Sequence, residues 1–434
     1  MSRLHPLPLC CLGGGTALLL CALARAAGLS QASSRPFVMA ALVFLFLLAA
    51  GLLFLCCSRW ETVCLALLPV GLALLLRTLL LDHVTDDYVT FLSDWAAFFR
   101  EQGGWAAVAL PKGNYTAPYL YFLAAISYLP VSDLYLIKLF SILFDVILAW
   151  GGCRLVQALV PGDRYRGAAA FCLLLLLPTV ILNGAAWSQC DAIYAALCLH
   201  GLAAGRPRFS AFLAGLAFAC KLQTVFLLPV WAVLWMSGRT RFRHLLWFPA
   251  ACVLSVLPAL ALGKPLGDVL GVYFGQAAEY SAYLTLNAPS LYALLPTDAP
   301  VNVALAARAG ILAAFLLVLG VLGWLLLRRK GLSRRAVLLA GVVFAVGIPL
   351  LLPHMHDRYF FLADVLTLAW ACTDRRGILP AALTQVASLG AYHAYLLLRY
   401  AFPMGLGAVL LLLALLRALE LLVQEVRFPR SGAR

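Results

Sequence analysis

Apolar runs of about 17 to 25 residues recur from one end of the chain to the other, with short polar segments between them. A helix of that length crosses a hydrocarbon core of about 30 Å. Lipid offers the backbone no hydrogen-bond partners, which favours helices as the spanning elements. The sequence also lacks the segments of about ten residues, with alternating apolar and polar positions, that are typical of membrane barrels. The pattern predicts an all-α polytopic membrane protein with about 12 to 14 transmembrane helices, centred near residues 18, 47, 71, 146, 176, 197, 215, 230, 254, 315, 344, 366, 388 and 413.

Composition supports a membrane protein and excludes a water-soluble globule. Of the 434 residues, 64% are hydrophobic and 12% are charged, and the mean hydropathy is +0.96. The thirteen cysteines show no paired metal spacing, and most lie inside apolar runs. The net charge of +14 comes from short basic clusters between apolar runs, which favours a topological role over binding to nucleic acid.

Charge also predicts the orientation in the membrane. If the N-terminus is cytoplasmic, every compact basic cluster falls on the cytoplasmic side, as the positive-inside rule requires. These clusters are Arg59, Arg164 with Arg166, Arg206 with Arg208, Arg239 with Arg241 and Arg243, Arg328 to Lys330, Arg334 with Arg335, and Arg375 with Arg376. The opposite side receives Asp82, Asp86, Asp87, Asp94, Asp191, Glu279, His354, His356 and Asp357. The first apolar run, Leu9 to Leu23, is interpreted as an uncleaved helix, with a cleaved signal peptide as the alternative.

Two long segments, about residues 82–132 and 263–303, face outward in this topology, so function is expected on the extracytoplasmic side. The first contains amphipathic stretches such as Phe91 to Arg100, which predict short helices along the membrane interface.

The first candidate cluster is Asp86, Asp87 and Tyr88, which follows the third apolar run. Two adjacent carboxylates cannot both be deeply desolvated without a cation, so one is expected to point into a cleft while the other is solvated or paired. A carboxylate in a cleft can act as a general base towards an attacking hydroxyl. The alternative is an acidic, solvated loop.

Two further segments carry groups suited to sugar hydroxyls. Asn114 and Tyr115 close the first long external segment, although a turn with interfacial aromatic residues explains them equally simply. The next predicted helix is opened by Asp191, together with Gln189 and Trp187, and a carboxylate near a helix N-terminus can also be a helix-dipole partner.

Cationic residues form the remaining candidates. Lys221, followed by Gln223, interrupts an apolar run, and a lysine there requires an aqueous cavity or an anion, such as a phosphate or Asp191. His354, His356 and Arg358 lie in one short turn and suit a phosphate leaving group. The alternatives for this turn are a metal site and a structural ion pair.

Together these segments resemble the GT-C superfamily of membrane glycosyltransferases, in particular bacterial relatives of the second mannosyltransferase of GPI-anchor assembly. The resemblance runs from about Asp82 to Asp364 and lies in the ordered segments DDYVTFLSDW, GNYTAPYLYFL, SDLYLIKLFSILFD, NGAAWSQCDAIYAA, FACKLQ and HMHDRYFFLADV. It implies that Asp87 is the base, and that His356 and Arg358 match a phosphate-contacting His-Glu-Lys motif in which Asp357 replaces the Glu. Asn114 stands where relatives more often carry Asp. A second carboxylate is therefore missing at that position, and Asp87 remains as the predicted base.

The resemblance implies an inverting transfer of a sugar, such as mannose, from a polyprenyl-phosphate donor to a hydroxyl of a cell-envelope glycan, glycolipid or glycoprotein. Lys221, His354, His356 and Arg358 would bind the donor phosphate without an essential metal or other cofactor. The sugar and the acceptor would contact the residues Asp86, Tyr88, Asn114, Tyr115, Trp187, Gln189, Asp191 and Gln223. Residues 1–60 would form an accessory hairpin and residues 61–434 the catalytic domain, with both termini cytoplasmic. A flippase or transporter of lipid-linked saccharides and a lipid-binding scaffold are the alternative functions.

Overall fold

The computed structural model describes residues 6–278, 281–296, 301–329 and 332–428. Glu279 and Lys330, which the charge pattern assigned to opposite sides of the membrane, lie outside these residues. The chain folds into two compact units. The first runs to Ala203 and includes Ala219–Lys221 and Cys252–Val272, and the second comprises Ala204–Phe218, Leu222–Ala251 and the described residues from Tyr273 onward.

Helices dominate both units. The first half of the chain forms α1 (Pro6–Ala26), α2 (Arg35–Cys57), α3 (Trp60–Leu79), α4 (Ser93–Glu101), α5 (Ala117–Ile126), α6 (Asp133–Leu159), α7 (Arg164–Leu176), α8 (Pro178–Ile181) and α9 (Asp191–Ala203). The second half forms α10 (Pro207–Cys220), α11 (Pro229–Met236), α12 (Phe242–Leu245), α13 (Trp247–Ala261), α14 (Leu266–Ala278), α15 (Val303–Leu327), α16 (Arg334–Leu351), α17 (Phe361–Thr373), α18 (Ile378–Leu396) and α19 (Met404–Arg427). Two short strands, β1 (Thr285–Leu286) and β2 (Met355–His356), pair in parallel.

The all-α polytopic class is confirmed. Among the described residues, eight helical segments are long and apolar enough to cross a membrane: Pro6–Ala26, Ala32–Cys57, Trp60–Leu79, Asp133–Leu159, Phe242–Ala261, Val303–Leu327, Arg334–Leu351 and Met404–Arg427. Each contains one of the predicted centres. Arg164–Leu176 and Pro178–Ala186, bent by 51°, count as a ninth span if they cross together. The predicted total of about 12 to 14 also requires shorter helices, such as α9 and α17, to cross, and that number stays a prediction.

Helix α6 forms the centre of the first unit, where it packs against α2, α7 and α9. Helix α1 packs closely on α3 through two glycines. A Cβ at Gly15 would lie 2.4 Å from the carbonyl oxygen of Leu67, and one at Gly71 would lie 2.5 Å from the carbonyl oxygen of Gly15. Small residues of this kind allow helix backbones to approach in a membrane. The first helices are thus packed into this unit, and the accessory role of residues 1–60 stays a prediction.

Hydrogen bonds connect the loops of the first unit at each of its two ends. At one end Asp82, which follows α3, accepts hydrogen bonds from the Tyr135 hydroxyl at 2.6 Å and from the Ser30 hydroxyl at 2.9 Å. At the other end, the Gln157 amide donates to the carbonyl of Cys56 at 3.1 Å. Asp82 and the loop after Cys57 therefore lie at opposite ends of α3, as the predicted alternation of loops requires. Which end faces the cytoplasm stays a prediction.

Helix α16 forms the centre of the second unit and is buried along almost its whole length. It packs against α11, α15, α17 and α19. Its N-terminus is capped by Ser333, whose hydroxyl accepts from the backbone N–H of Ala336 at 3.0 Å and donates to the buried Glu425 at 2.7 Å. The chain leaves α16 directly into β2, so a rigid central helix positions the histidine-containing segment.

Candidate functional sites

The two adjacent carboxylates, Asp86 and Asp87, differ in their surroundings. Asp86 is exposed, whereas Asp87 is half-buried. The Oδ2 atom of Asp87 accepts a hydrogen bond from the Trp187 indole N–H at 2.8 Å and another from the Gln189 amide at 3.0 Å. Two donors from one distant segment fix the position of Asp87, so the two carboxylates differ in exposure, while the cleft predicted for one of them stays a prediction.

The segment that supplies these donors has an irregular backbone. Leu182–Ala186 forms a π-helical turn, and the N–H of Gln189 then returns to the carbonyl of Asn183 at 2.9 Å. Between them the buried Ser188 has a φ of 62°, in the left-handed region that a residue with a Cβ seldom adopts. Such strain persists where the surroundings impose it, and here it accompanies the presentation of Trp187 and Gln189 to one carboxylate oxygen.

The orientation of the Gln189 side chain follows from its partners. The Tyr115 hydroxyl donates to Gln189 Oε1 at 3.2 Å, so the amide nitrogen faces Asp87. The backbone is held as well, because the buried Ser141 hydroxyl donates to the Gln189 carbonyl at 2.7 Å. Tyr115, Gln189 and Asp87 therefore form one hydrogen-bonded chain, which brings together three of the predicted site residues.

Asp191 and Lys221 form a buried ion pair. Asp191 begins α9, as expected, and one of its carboxylate oxygens lies 2.6 Å from the Lys221 ammonium. Its other oxygen accepts from the Asn183 amide at 2.8 Å. Of the two partners predicted for Lys221, the structure contains the acidic side chain. Because Asp191 balances the charge, the geometry assigns Lys221 to holding the Asn183–Asp191 segment, and its phosphate role stays a prediction.

Tyr88 and Asn114 complete the candidates of the first unit. Tyr88 is half-buried, and desolvation together with the nearby charge of Asp133 raises the pKa of its phenol to about 12. Asn114 is half-buried between Gly113, which has a φ of 72°, and Tyr115. The following Thr116 hydroxyl donates to the carbonyl of Cys220 at 2.9 Å, which ties this segment to the chain immediately before Lys221.

An apolar cavity adjoins the ion pair. Its volume is about 220 Å³, and Lys221 is the charged residue in a lining of Pro118, Tyr119, Phe140, Phe144, Cys190, Ile193, Cys220 and Lys221. The aromatic rings give it rigid walls, since Tyr119 stacks on Tyr115 with ring centroids 4.5 Å apart. A cavity with these walls suits an apolar chain better than a hydrated sugar.

The histidine-containing segment belongs to the second unit. His354 has a φ of 62°, its N–H donates to the carbonyl of Leu284 at 2.8 Å, and its Nδ1 lies 2.5 Å from the carbonyl oxygen of Tyr283. Because a carbonyl can only accept, Nδ1 carries a proton in this contact. Backbone and ring are both held, so His354 has a fixed orientation.

The rest of this segment mixes cationic and acidic groups. The imidazole of His356, in β2, lies against Tyr359 with ring centroids 5.1 Å apart. The Arg358 guanidinium lies 3.8 Å from the carboxylate of the buried Asp357. A second cavity of about 250 Å³ has Gln223, His354 and Tyr359 in its wall, and its other lining residues are apolar. Arg358 thus has an acidic neighbour, as expected if this segment forms a structural ion pair.

In the part of the chain that the structure describes, no three side chains of His, Cys, Asp or Glu are grouped as ligands of a metal ion. The expectation that no metal or other cofactor is needed stays a prediction.

Sequence reasoning missed the buried charges inside the helices of the first unit. The Arg77 guanidinium of α3 donates to the Asp145 carboxylate of α6 at 2.9 Å, and both side chains are at most 1% exposed. A Cβ at Gly184, in the π-helical turn, would lie 3.1 Å from Ser141 Cβ and 3.5 Å from Asp145 Oδ2. The ion pair therefore lies directly beneath the turn that supplies the donors to Asp87. A charge within an apolar run was the available signal.

Comparison with protein-family models found no match, and comparison with curated proteins found none either.

Proposed function

We propose that this protein is a membrane-embedded glycosyltransferase that transfers a sugar from a polyprenyl-phosphate donor to a hydroxyl acceptor, with Asp87 as general base. The observation that carries the proposal is the half-buried Asp87 carboxylate, whose Oδ2 is held by the N–H groups of Trp187 and Gln189. A general base must be fixed within hydrogen-bonding reach of the proton it removes. A side chain held by two donors is fixed in position, which is the first part of that requirement, whereas Asp86 is exposed.

The reaction is a single displacement. The acceptor oxygen forms a bond to the anomeric carbon while the bond from that carbon to the phosphate oxygen breaks. The departing phosphate takes the bonding electrons, Asp87 receives the hydroxyl proton, and the configuration at the anomeric carbon inverts. Positioning of the acceptor contributes much of the rate in such a step, because it replaces an encounter in solution.

A lipid-linked donor is supported by the apolar cavity beside Lys221. Its aromatic and aliphatic walls suit an isoprenoid chain, while the hydrogen-bonded Tyr115 and Gln189 supply groups for a sugar. For the donor phosphate we propose the cationic side chains predicted from the sequence, His354, His356 and Arg358. Preorganised donors of this kind stabilise charge that develops on a leaving oxygen.

A transporter of lipid-linked saccharides is the second candidate. It is favoured by the ion pair between Arg77 and Asp145, since ionisable groups inside transmembrane helices often mark a transport pathway. The positions of these residues beneath a turn that supports Asp87 give the pair a structural role in an enzyme as well. Identification of the products distinguishes the two functions, because transport leaves the lipid-linked saccharide unchanged and transfer does not.

The test is an assay of purified protein against a panel of polyprenyl-phosphate sugars, with products identified by mass spectrometry. We expect Asp87→Asn to abolish transfer, because the amide keeps the shape and loses the proton acceptor. The matched comparison is Asp86→Asn, which removes the neighbouring, exposed carboxylate that is predicted to contact the sugar or the acceptor, and it should retain more activity than Asp87→Asn. An active Asp87→Asn enzyme with an inactive Asp86→Asn enzyme would contradict the assignment. Movement of a fluorescent lipid-linked sugar across liposomes without sugar transfer would support the transporter instead.

A further inference from the structure

Two loops of the second unit form an exposed basic patch, which we define as Arg206, Arg208, Arg241, Arg243 and His244. The four arginines are exposed. They come from the segment before and at the start of α10, and from the segment that forms α12. The patch stands at one end of the membrane-spanning segment Phe242–Ala261, where lipid headgroups are expected.

In the described part of the chain, no acidic side chain forms an ion pair with the patch. No Asp or Glu occurs in the sequence between Asp191 and Asp268. By contrast, Arg166 and Arg417 lie within 3.0 and 2.5 Å of carboxylate oxygens of Asp163 and Glu420. The patch therefore concentrates positive charge that other arginines of the chain share with an acid.

Packing of the two loops brings these charges to one place. A Cβ at Gly215 of α10 would lie 2.2 Å from the carbonyl oxygen of Phe248, so α10 and α13 are in close contact. Nearer the patch, the rings of Phe212 and Trp247 lie edge to face with centroids 6.3 Å apart. Arg208 lies four residues before Phe212 and Arg243 lies four residues before Trp247, so the contact between these rings brings the two basic segments together. Arginines separated by more than thirty positions in the chain thus form one surface.

Apolar side chains border the arginines. Phe209, Phe242, Leu246 and Trp247 are all exposed, with Phe242 68% exposed. Aromatic residues at this level of a membrane protein place their rings among the acyl chains and headgroups of the adjacent leaflet. The combination of clustered cations with neighbouring apolar rings matches an amphiphile with an anionic head, and a soluble anion would leave the rings uncovered.

We infer that the basic patch binds the phosphate of an anionic glycerophospholipid, with the acyl chains of that lipid against Phe209, Phe242, Leu246 and Trp247. Arginine suits this ligand because its guanidinium forms paired hydrogen bonds to phosphate oxygens. The site is separate from the residues proposed for sugar transfer, so its occupancy can be measured whether or not the protein is a glycosyltransferase.

The test is titration of the full-length protein in a non-ionic detergent with phosphatidylglycerol or phosphatidylcholine, with bound lipid counted by native mass spectrometry. Each basic residue near a membrane surface contributes about 1 kcal/mol, so Arg208→Gln with Arg243→Gln should weaken phosphatidylglycerol binding roughly thirty-fold. Binding of phosphatidylcholine should change little. The matched control, Arg166→Gln with Arg417→Gln, removes the same net charge from two paired arginines and should keep affinity within about three-fold.

A second variant tests the acyl-chain contacts. Phe242→Ser with Leu246→Ser keeps every charge and should still weaken phosphatidylglycerol binding. An equal loss in the control variant would overturn the inference, because the attraction would then be a property of the net charge. Displacement of the lipid by soluble glycerol phosphate would assign the patch to a free phosphate compound. Preference for an oligonucleotide over phosphatidylglycerol would assign it to nucleic acid.

Discussion

The amide nitrogen of Gln189 lies 3.0 Å from Oδ2 of Asp87, across a sequence separation of 102 residues. This contact joins the end of the segment after α3 to the strained turn before α9. It also connects Asp87 to Tyr115 through the other end of the same amide. The candidate base is therefore positioned by elements from three separate parts of the chain.

Removal of the donors to Asp87 should lower turnover. We expect Gln189→Ala and Trp187→Phe each to reduce the turnover number by about ten- to a hundred-fold, because a hydrogen bond to a charged group contributes about 1.5 to 3 kcal/mol. The measurement is steady-state kinetics, in which the turnover number should fall by a larger factor than the KM for the donor rises. Tyr128→Phe removes a hydroxyl that accepts a hydrogen bond from the backbone N–H of Trp105 at 3.1 Å, and it controls for the loss of a polar contact elsewhere in the unit. An unchanged turnover number in both donor variants would remove the positioning role.

The buried pair of Lys221 and Asp191 should show strong coupling in stability. Loss of one partner leaves a buried charge without its counterion and typically costs about 3 to 5 kcal/mol of unfolding free energy. We expect Lys221→Met and Asp191→Asn each to lower the melting temperature in detergent, and the double variant to be more stable than a sum of the single losses predicts. Additive losses would show that the two side chains do not interact. If Lys221 binds the donor phosphate instead, Lys221→Met should mainly raise the KM for the donor.

Substitutions in the histidine-containing segment, combined with EDTA treatment, should distinguish phosphate binding from metal binding there. If it binds the donor phosphate, Arg358→Ala and His356→Ala should lower turnover by roughly a hundred- to a thousand-fold, while EDTA leaves the wild type active. The control is Arg329→Ala, which also removes an arginine side chain. Arg329 is exposed and lies far from β2 in the sequence, so activity should be retained. Loss of wild-type activity in EDTA and its return with a divalent ion would establish the metal site instead.

The orientation of the first unit can be measured by thiol labelling in intact cells. In a variant without its thirteen native cysteines, a membrane-impermeant reagent should label Val84→Cys and leave Tyr165→Cys unlabelled. Both side chains are exposed, at 47% and 64%, so a difference between them reports the side of the membrane. Labelling of Tyr165→Cys alone would place Asp87 on the cytoplasmic side.

Hydropathy was sufficient to predict the eight long spans, because a membrane helix is specified by local composition over about 20 residues. It could not predict how Trp187 and Gln189 meet Asp87. Their placement depends on a π-helical turn and on the left-handed Ser188, which follow no regular spacing in the sequence. Arg77 and Asp145 were missed for a related reason. Each is a single charge within an apolar helix, and the contact that explains both of them spans 68 residues.

The preference for Asp87 over Asp86 came from a family resemblance, and the structure adds a physical difference between them. One carboxylate is exposed and the other accepts two hydrogen bonds. Adjacent residues of the same type give no such distinction in the sequence. Their difference arises because Asp86 and Asp87 lie in helical backbone, where successive side chains point about 100° apart and so meet different surroundings.

The glycine contact between α1 and α3 has a consequence for biosynthesis. Gly15 and Gly71 meet across 56 positions, so the backbone surface that α1 offers is covered only after α3 has left the ribosome and entered the bilayer. During that interval α1 and α2 remain in the membrane without this partner, and the glycine face of α1 is not yet covered by α3. The order of synthesis thus delays the assembly of the N-terminal helices until the chain has reached the segment that leads to Asp82 and Asp87.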